Sequence, residues 1–420
     1  MVIFRLALIL LGAPSTLFAA AVSWQTCIEE TTANNAELKV AQETLRASEF
    51  EAKGARNGYF PQLSADLSYS YGNGSNSQDD DTGSGEASRY RAGVSLSQNL
   101  FSGYKDQAAA NRAQASFRAT QMTLQSTKSK ISSELKAAYA GLLFAQRSEQ
   151  LQKEIIRRRD QQLKLVELRF NSGRENKGSV LLSTAYYNEA RYEGLQAKNS
   201  IYLFQTQLAQ ILGRNEISEL SIDDNLPLNP LPSDPDFKAL ALASPDYLKS
   251  VAEEDAAISA IVIARSGFFP TARLTADTSG SDRRWFPEND NWSVGASISF
   301  PLFDGGKDYY GTKSAVASRV AAAESKVDTD RQVVLKLRQS YYAYAEAIEK
   351  LRVDENFREA ALKRAEIARS KYNNGLMTFE DWDVIEGDLI VRERAVLLGQ
   401  RRLATTESEW QQAQGKGVIP

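Results

Sequence analysis

The feature that most limits the fold of this chain is an internal repeat. The segment ARNGYFP at 55–61 returns as ARSGFFP at 264–270, and LFSG at 100–103 returns as LFDG at 302–305. RFNSG at 169–173 returns as KYNNG at 371–375, at the same offset as the LFSG pair. Because the motifs agree in spacing as well as in letters, the sequence predicts two copies of one structural unit.

Proline placement predicts where the two copies join. Five of the eleven prolines lie between Pro227 and Pro245. We predict a first repeat at 22–213, a proline-rich linker at 214–243 and a second repeat at 244–416. Each repeat is expected to contain a first helix (24–56 in the first repeat), a β-hairpin, a long helix and a return helix. The expected hairpins are 59–101 and 268–302, the long helices 104–170 and 306–372, and the return helices 179–212 and 380–414.

The two long segments predict coiled-coil helices. No proline interrupts them, and they are rich in Ala, Gln, Lys, Glu and Leu, so each is expected to form one rod of about 100 Å. Apolar residues step 4-3-4-3 in both segments, a spacing typical of coiled coils. They are Ile131, Leu135, Ala138, Leu142 and Ala145 in the first, and Leu337, Tyr341, Tyr344, Ile348 and Leu351 in the second. A helix this long needs neighbouring helices to bury its apolar stripe.

Four segments between the helices alternate apolar and polar residues, as half-exposed β-strands do. They begin at Leu63, Tyr90, Ala272 and Trp292, and each suits a tilted strand that crosses a bilayer. Their polar face is mostly small and their apolar face ends in aromatic residues, as in an outer-membrane barrel. A soluble sheet with one solvated face shows the same alternation. Long loops at 72–88 and 280–291 favour the barrel.

Four strands cannot close a barrel, and open sheet edges are excluded from lipid. The protomer is therefore expected to share its barrel with copies of itself. Two copies give eight strands and a filled interior, whereas three copies give twelve strands and a pore. The sequence alone favours an oligomer without fixing the number of copies.

The composition argues against several kinds of function. The chain has 420 residues, no histidine, one cysteine and a net charge of −3. Most metal sites, histidine-assisted nucleophiles and disulfide frameworks are therefore not expected, and nothing favours nucleic-acid binding. Cys27 falls on the apolar face of the first helix, so a buried thiol is expected. Residues 1–21 are interpreted as a cleaved secretory signal, with Arg5, an apolar run and small residues at 19–21.

Taken together, these features resemble the TolC family of outer-membrane efflux proteins. The resemblance is carried by NNAEL at 34–38, GYFPQL at 58–63, the LFSG and LFDG motifs, and YNNG at 372–375 followed by Asp381. It implies a membrane α+β fold: a trimeric outer-membrane β-barrel, with four strands per protomer, continued by a periplasmic tunnel of coiled-coil helices. It also implies export with a periplasmic adaptor and an inner-membrane pump, without catalysis and without a cofactor.

In that family, a tyrosine, an arginine and aspartates near the helical turns hold the tunnel entrance closed. By position, the resemblance implies this role for Tyr372 and Asp381. Met377, however, stands at the arginine position, Val384 at the constricting aspartate position and Ser179 at the partner aspartate position. The family's ion-pair latch is therefore expected to be mostly missing.

We hypothesise that the entrance closes by packing of Met377, Phe379 and Val384 and is less cation-selective. Asp383 lies about 100° from Val384 around the helix, so it is expected to point in another direction. Alternatively, a neighbouring carboxylate takes over the latch. The candidates are Glu380, Asp383 and Glu386.

The two turns between long helix and return helix are the expected contacts for adaptor hairpins. The first turn is charged and the second is apolar, with Leu376 and Phe379 expected to be exposed. The residues assigned to this contact are Gly173, Arg174, Glu175 and Lys177 in the first turn, and Gly375, Leu376 and Met377 in the second.

Two other functional classes fit the sequence less well. A periplasmic coiled-coil adaptor or scaffold without a pore accounts for the long helices but not for the four alternating strands. An enzyme conflicts with the missing histidines and the symmetric repeat. Drug or metal efflux and type I protein secretion use the same kind of duct, so the sequence does not separate them.

Overall fold

The computed structural model describes residues 22–73, 86–215, 220–223, 226–282, 285 and 290–420. The expected signal at 1–21, and most of the expected loops at 72–88 and 280–291, lie outside the described residues. The described chain is mostly helical, with one four-stranded sheet. Its helices are α1 (Trp24–Asn34), α2 (Ala36–Gly54), α3 (Lys105–Asn171), α4 (Lys177–Leu212), α5 (Phe237–Leu242), α6 (Pro245–Arg265), α7 (Lys307–Asn373) and α8 (Phe379–Ala413).

The single first helix expected at 24–56 is wrong, because the chain breaks at Asn35 between α1 and α2. Asn35 leaves the helical conformation with ψ of 124°. Its side-chain Oδ1 accepts a 2.9 Å bond from the Leu38 amide, and its Nδ2 donates a 2.9 Å bond to the Ile211 carbonyl. The side chain therefore caps α2 and fixes the break to the end of α4.

Helices α3 and α7 each contain 67 residues. The five apolar residues singled out in α3 are all buried, whereas in α7 Leu337 and Tyr344 are buried and the other three are half-buried. No described helix has a stretch apolar enough for a membrane span.

The four strands form one antiparallel sheet in the order β1-β2-β3-β4. They are β1 (Gln62–Asn73), β2 (Glu86–Phe101), β3 (Thr271–Asp282) and β4 (Asp290–Ser299). The register aligns apolar residues across all four strands, as in the row Leu63, Leu96, Ala276 and Val294. The adjacent row on the other face is Ser64, Ser95, Asp277 and Ser293. In these two rows, one face of the sheet is apolar and the other is polar.

The same close contact occurs before both hairpins. A Cβ on Gly58 would lie 2.4 Å from Cγ of Asp106, and a Cβ on Gly267 would lie 2.2 Å from Cγ of Asp308. In each place, only glycine lets the turn before the strand approach the first turn of the long helix. Where strand passes to helix, Tyr104 takes a left-handed φ of 67°, which costs free energy in a residue with a side chain.

The chain divides into two compact units. The first takes in the described part of Met1–Leu38 together with Lys128–Asp234 and Arg338–Pro420, and the second takes in Lys39–Thr127 and Pro235–Leu337. Each unit draws on both expected repeats, so the units do not follow the repeat boundaries. Those boundaries stay a prediction from the sequence.

The first unit has a core in which α1, α3 and α4 meet. Cys27 is fully buried there, and the rings of Trp24 and Tyr139 pack edge to face with centroids 5.3 Å apart. A buried ion pair of 2.5 Å joins Lys136 to Glu407, and Glu407 also accepts a 2.7 Å bond from Nδ2 of Asn229. In the second unit, outside the sheet, Arg319 and Lys326 of α7 both pair with Glu254 of α6.

Candidate functional site

Two turns in the first unit reverse the chain between long helix and return helix. Gly173 and Gly375 take left-handed φ values of 72° and 74°. The residue after each glycine bonds back into the helix, with the Arg174 amide 2.8 Å from the Arg169 carbonyl and the Leu376 amide 2.8 Å from the Lys371 carbonyl. This is the Schellman arrangement, which satisfies the last carbonyls of a helix and requires a residue that tolerates positive φ.

Each return helix begins with a side-chain cap. Asn176 accepts a 2.9 Å bond from the Ser179 amide, and Thr378 accepts a 3.1 Å bond from the Asp381 amide. The Thr378 hydroxyl also donates 2.9 Å to Oδ2 of Asp381. Ser179 and Asp381 therefore lie in the first turns of α4 and α8, where their backbone amides donate to the capping side chains.

The side chain of Tyr372 is fully buried where the two turns meet. Its ring stacks on Trp382 with centroids 4.5 Å apart and meets Phe379 edge to face at 6.4 Å. Val166 and Ala368 complete this apolar cluster, against which Met377 packs. Burial, followed by the contact with Glu175, raises the pKa of Tyr372 well above its usual range.

Polar contacts to Tyr372 connect the second turn to the first. The Tyr372 hydroxyl donates a 3.0 Å bond to Oε2 of Glu175. Oε1 of Glu175 accepts a 3.0 Å bond from the hydroxyl of Ser179. The guanidinium of Arg169 lies 4.4 Å from the centre of the Tyr372 ring and donates to the Tyr372 carbonyl. The turn residues of both halves are thus held together within one chain.

Asp383 makes a second, buried contact between the halves. Its Oδ1 lies 2.6 Å from Nη1 of Arg159 and accepts a 3.2 Å bond from Gln162, both on α3. The guanidinium of Arg159 also lies 4.6 Å from the centre of the Tyr186 ring of α4. The negative charge of Asp383, and then burial, raise the pKa of Tyr186. Asp383 therefore joins α8 to both α3 and α4.

Two further ion pairs join α8 to the first-half helices. Arg158 of α3 contacts Glu393 through both terminal nitrogens, at 3.3 and 2.5 Å. Arg394 of α8 contacts Glu193 of α4 in the same two-pronged way, which fixes the orientation of both planar groups. Any movement of α8 away from α3 and α4 has to break these contacts together.

The structure places the expected entrance residues on different surfaces. Val384 is 71% exposed and Asp383 is 8% exposed, so their side chains point in different directions, as expected from the helix geometry. Leu376 is exposed and Met377 is half-buried. The expectation of an exposed Phe379 is wrong: its ring is 1% exposed because it packs on Tyr372. Within one protomer, Met377 and Phe379 therefore pack away from Val384.

The other expected site residues are either exposed or in contact with neighbouring side chains. Arg174 and Lys177 are exposed, Glu175 is half-buried and Ser179 is buried. Of the three carboxylates weighed as replacements for the latch, Glu380 is exposed. Asp383 is paired with Arg159, and Glu386 lies 2.6 Å from Arg369 of α7.

Sequence reasoning missed Trp382, Arg169 and Arg159. Trp382 follows Phe379 by three residues, so helix geometry alone places both on one face. Arg169 aligns with Lys371 in the internal repeat, one position before the pair Phe170 and Tyr372. Nothing in the sequence signals a buried Arg159, since arginine is usually exposed. Among the described residues, no group of three or more His, Cys, Asp or Glu could hold a metal ion.

Known proteins resemble the chain over most of its length. The sequence profile of the family described as "Outer membrane efflux protein" matches residues 27–214 and 238–415. Outer membrane protein TolC of Escherichia coli is 24% identical over 367 residues, which are 83% of this chain and 73% of that protein. Alkaline protease secretion protein AprF of Pseudomonas aeruginosa is 27% identical over 227 residues, which are 52% of this chain. The match spans about half of AprF, 47% of its length.

Solved structures share the fold. The outer membrane protein VceC of Vibrio cholerae superposes with a TM-score of 0.82 and 21% identity, covering 94% of this chain and 96% of that one. The family profile and the match to TolC confirm the predicted resemblance to TolC-like channels. They also confirm the prediction that the protein is a channel and not an enzyme. Because the family profile matches both halves of the chain, the protein belongs to the outer membrane efflux protein family.

Proposed function

We propose that the protein is one subunit of a homotrimeric duct in the cell outer membrane. In this proposal, an inner-membrane pump and a periplasmic adaptor deliver substrates to its periplasmic tunnel, and the duct passes them to the exterior. The observation that carries the proposal is the sheet. Its outer strands are β1 and β4, and it exposes an apolar face on which Leu63 is 72% and Ile298 is 79% exposed.

Such a sheet is costly in a protomer alone, because an exposed apolar face and open strand edges both invite association. Joining β1 of one copy to β4 of the next removes the edges, and lipid covers the apolar face. Three copies then give twelve strands and a pore. The row of Ser64, Ser95, Asp277 and Ser293 would face the water in that pore.

Aromatic residues at both ends of the sheet support the membrane placement. At one end, the rings of Tyr69 and Tyr90 lie 4.9 Å apart. At the other end, Tyr104 meets Phe101 edge to face at 5.3 Å. From Tyr90 to Phe101, β2 is about 36 Å long at about 3.3 Å per residue. At a tilt of about 40° this spans about 28 Å, close to the apolar band of outer-membrane barrels.

Exposed apolar stripes on the return helices support the oligomer. On α8, Val384, Val391 and Leu398 recur every seven residues and are each more than half exposed. On α4, Leu195 and Tyr202 are seven residues apart and also exposed. Such spacing matches a coiled-coil face without its partner helix. In the proposed trimer, helices of adjacent copies would cover these stripes.

We further propose that contacts within each protomer hold the entrance closed. The bond from Tyr372 to Glu175 and the pair between Arg159 and Asp383 would be the principal contacts. The exposed Arg174, Lys177 and Leu376 would meet the adaptor. In the proposed trimer, exposed Val384 from three copies would also narrow the entrance, and a pore closed by valine would be less cation-selective than one closed by aspartate.

The direct test is to extract the full chain from outer membranes and image single particles by electron microscopy. A three-fold tapered cylinder that conducts ions after insertion into a planar bilayer would support the duct. Compact monomers in a soluble fraction would contradict it, because the sheet would then be an ordinary soluble one.

Protein secretion by a type I system is the second candidate role. It is favoured by the match to a protein described as an alkaline protease secretion protein. Co-expression with an adaptor and a pump of each type would separate the roles. Rescue of protease export in a strain without its own outlet would support secretion, whereas rescue of drug resistance alone would support efflux.

A further inference from the structure

A largely apolar cavity lies in the first unit, between the helices α3, α7 and α8 and the segment that follows α4. Its volume is about 270 Å³, well above the roughly 150 Å³ that holds benzene in an engineered protein. Most of its wall is aliphatic, and the leucines that line it are Leu143, Leu226, Leu228, Leu351, Leu397 and Leu403. The cavity therefore favours a ligand with a hydrocarbon part larger than benzene.

The polar part of the cavity wall is positively charged. It consists of Arg147, Gln400 and Arg401, and no carboxylate occurs among the described residues that line the cavity. Nη1 of Arg147 donates a 2.8 Å bond to Oε1 of Gln400, which holds these two side chains in place. The wall thus places cationic groups beside hydrocarbon, without an acidic neighbour in this lining that would repel an anion.

Arg401 is held by aromatic rings instead of by a carboxylate. Its guanidinium carbon lies 4.9 Å from the centre of the Phe204 ring and 5.6 Å from the centre of the Phe144 ring. Within the part of the chain that the structure describes, Arg401 has no ion-pair partner. The side chain is half-buried and its nitrogens are not enclosed, so its N–H groups are accessible to a ligand.

Gly141 of α3 allows this aromatic support to form. A Cβ at this position would lie 2.6 Å from two carbons of the Phe204 ring. Only glycine therefore lets this ring of α4 lie directly against the backbone of α3. The rings of Phe204 and Phe144 fix the position of the Arg401 charge by cation–π contact and leave the charge itself unneutralised.

We propose that this cavity binds an amphiphile with one hydrocarbon chain and a carboxylate head, as in a fatty acid. The chain lies among the leucines, and the carboxylate accepts two parallel hydrogen bonds from the planar guanidinium of Arg401. A cationic ligand is disfavoured because the wall already carries two arginines. Scaled from benzene, the space suits a chain of roughly ten carbons. The bound chain packs the segment after α4 against the three helices.

The test uses the purified full chain in lipid nanodiscs, so that no detergent chain competes for the cavity. The probe is decanoate with a light-activated diazirine near the end of its chain, and mass spectrometry maps the crosslinks. Adducts are expected on Leu226, Leu351 or Leu397. Plain decanoate should displace the probe in a saturable way. Decanol, which has the same chain without the charge, measures the contribution of the hydrocarbon alone.

Three variants separate the head group from the cavity. Arg401→Met keeps a long side chain and is expected to weaken displacement by decanoate about tenfold or more, because a charged hydrogen-bond partner is lost. Displacement by decanol should stay the same. Arg402→Met, at the adjacent exposed arginine of α8, is the matched control and should behave as the wild type does. Ala140→Leu fills part of the cavity while Arg401 stays in place, and it should abolish the adducts.

Two results overturn the proposal. One is the absence of saturable adducts on the cavity residues of the wild type. The other is displacement by decanoate that Arg401→Met leaves unchanged, since the charge would then not hold the head group. Bilayer conductance is a separate readout, so the proposed duct does not depend on this result.

Discussion

The hydroxyl of Tyr372 donates a 3.0 Å hydrogen bond to Oε2 of Glu175, and this bond joins the end of α7 to the turn before α4. The phenol is fully buried and stacked on Trp382, so the bond is shielded from water. A shielded bond to a charged acceptor is worth about 1.5–3 kcal/mol. It is thus one of the stronger single contacts between the two halves of the protomer.

Tyr372→Phe is expected to open the entrance without unfolding the cluster. Phenylalanine keeps the ring stack but leaves Oε2 of Glu175 without the tyrosine donor, so the ratio of open to closed channels should rise about tenfold or more. Single-channel recordings in planar bilayers measure this ratio. Tyr310→Phe, at a position 72% exposed, is the matched control. An unchanged ratio of open to closed channels in Tyr372→Phe would show that this bond does not hold the entrance closed.

The same tyrosine should make the stability of the protein depend on pH. The pKa of Tyr372 is raised in the folded state, chiefly by burial. The folded state therefore keeps its proton where the unfolded state loses it, so this stabilisation is complete below about pH 10 and declines at higher pH. The free energy of unfolding, measured in urea from pH 8 to pH 11, should decline less for Tyr372→Phe than for the wild type. Parallel curves would contradict the assignment.

Asp383→Asn is expected to be strongly destabilising. Removing one charge from a buried pair leaves Arg159 uncompensated, which costs about 3–5 kcal/mol. The measurement is the free energy of unfolding in urea, followed by circular dichroism. Glu154→Gln removes an exposed partner of Arg157 on the same helix α3 and should cost less than about 1 kcal/mol. Similar losses of unfolding free energy in both variants would show that the buried Asp383 pair stabilises the protein no more than an exposed pair does.

Asn35→Ala is expected to weaken the junction of α1, α2 and α4. The substitution removes the cap on the Leu38 amide and the bond to the Ile211 carbonyl. Loss of a cap alone costs about 0.5–2 kcal/mol, so the melting midpoint should fall. The neighbouring Asn34→Ala, at an exposed position, serves as the control. If the two variants melt alike, the Asn35 side chain is not the cause of the helix break.

The only cysteine is expected to resist thiol reagents in the native protein. Burial, followed by the charge of Glu30, raises the pKa of Cys27 to about 12, so almost no thiolate is present at pH 8. Maleimide labelling followed by mass spectrometry should be slow until denaturant is added. An engineered Gln25→Cys in a Cys27→Ser background is exposed and should label quickly. Rapid labelling of native wild-type protein would show that the α1 core opens readily.

Local sequence rules correctly predicted the two long helices and the glycine turns that end them. The proline-free runs predicted long helices, and α3 and α7 are such helices because helix formers and apolar spacing act along the whole segment. The different directions of Asp383 and Val384 follow from the rotation of about 100° per residue in a helix. The glycines at 173 and 375 end their helices because they take positive φ at low cost.

Features that depend on contacts with another helix were not predictable. Phe379 follows an apolar turn and was expected to be exposed, but its ring packs on Tyr372 at the end of the preceding helix α7. Asn35 breaks the first helix because Ile211, far along the chain, offers a carbonyl to its side chain. Arg159 is buried because Asp383 and Tyr186 meet it there. In each case the decisive neighbour comes from another helix.

The strand order also has a consequence for the timing of biogenesis. Strand β2 ends at Phe101, but its neighbour β3 begins only at Thr271. During synthesis, 169 residues follow the end of β2 before β3 begins, so the inner edge of the first hairpin stays uncovered over that stretch. Pairing between segments so distant in sequence is intrinsically slow, so the newly made chain has to be shielded from aggregation until the second hairpin arrives.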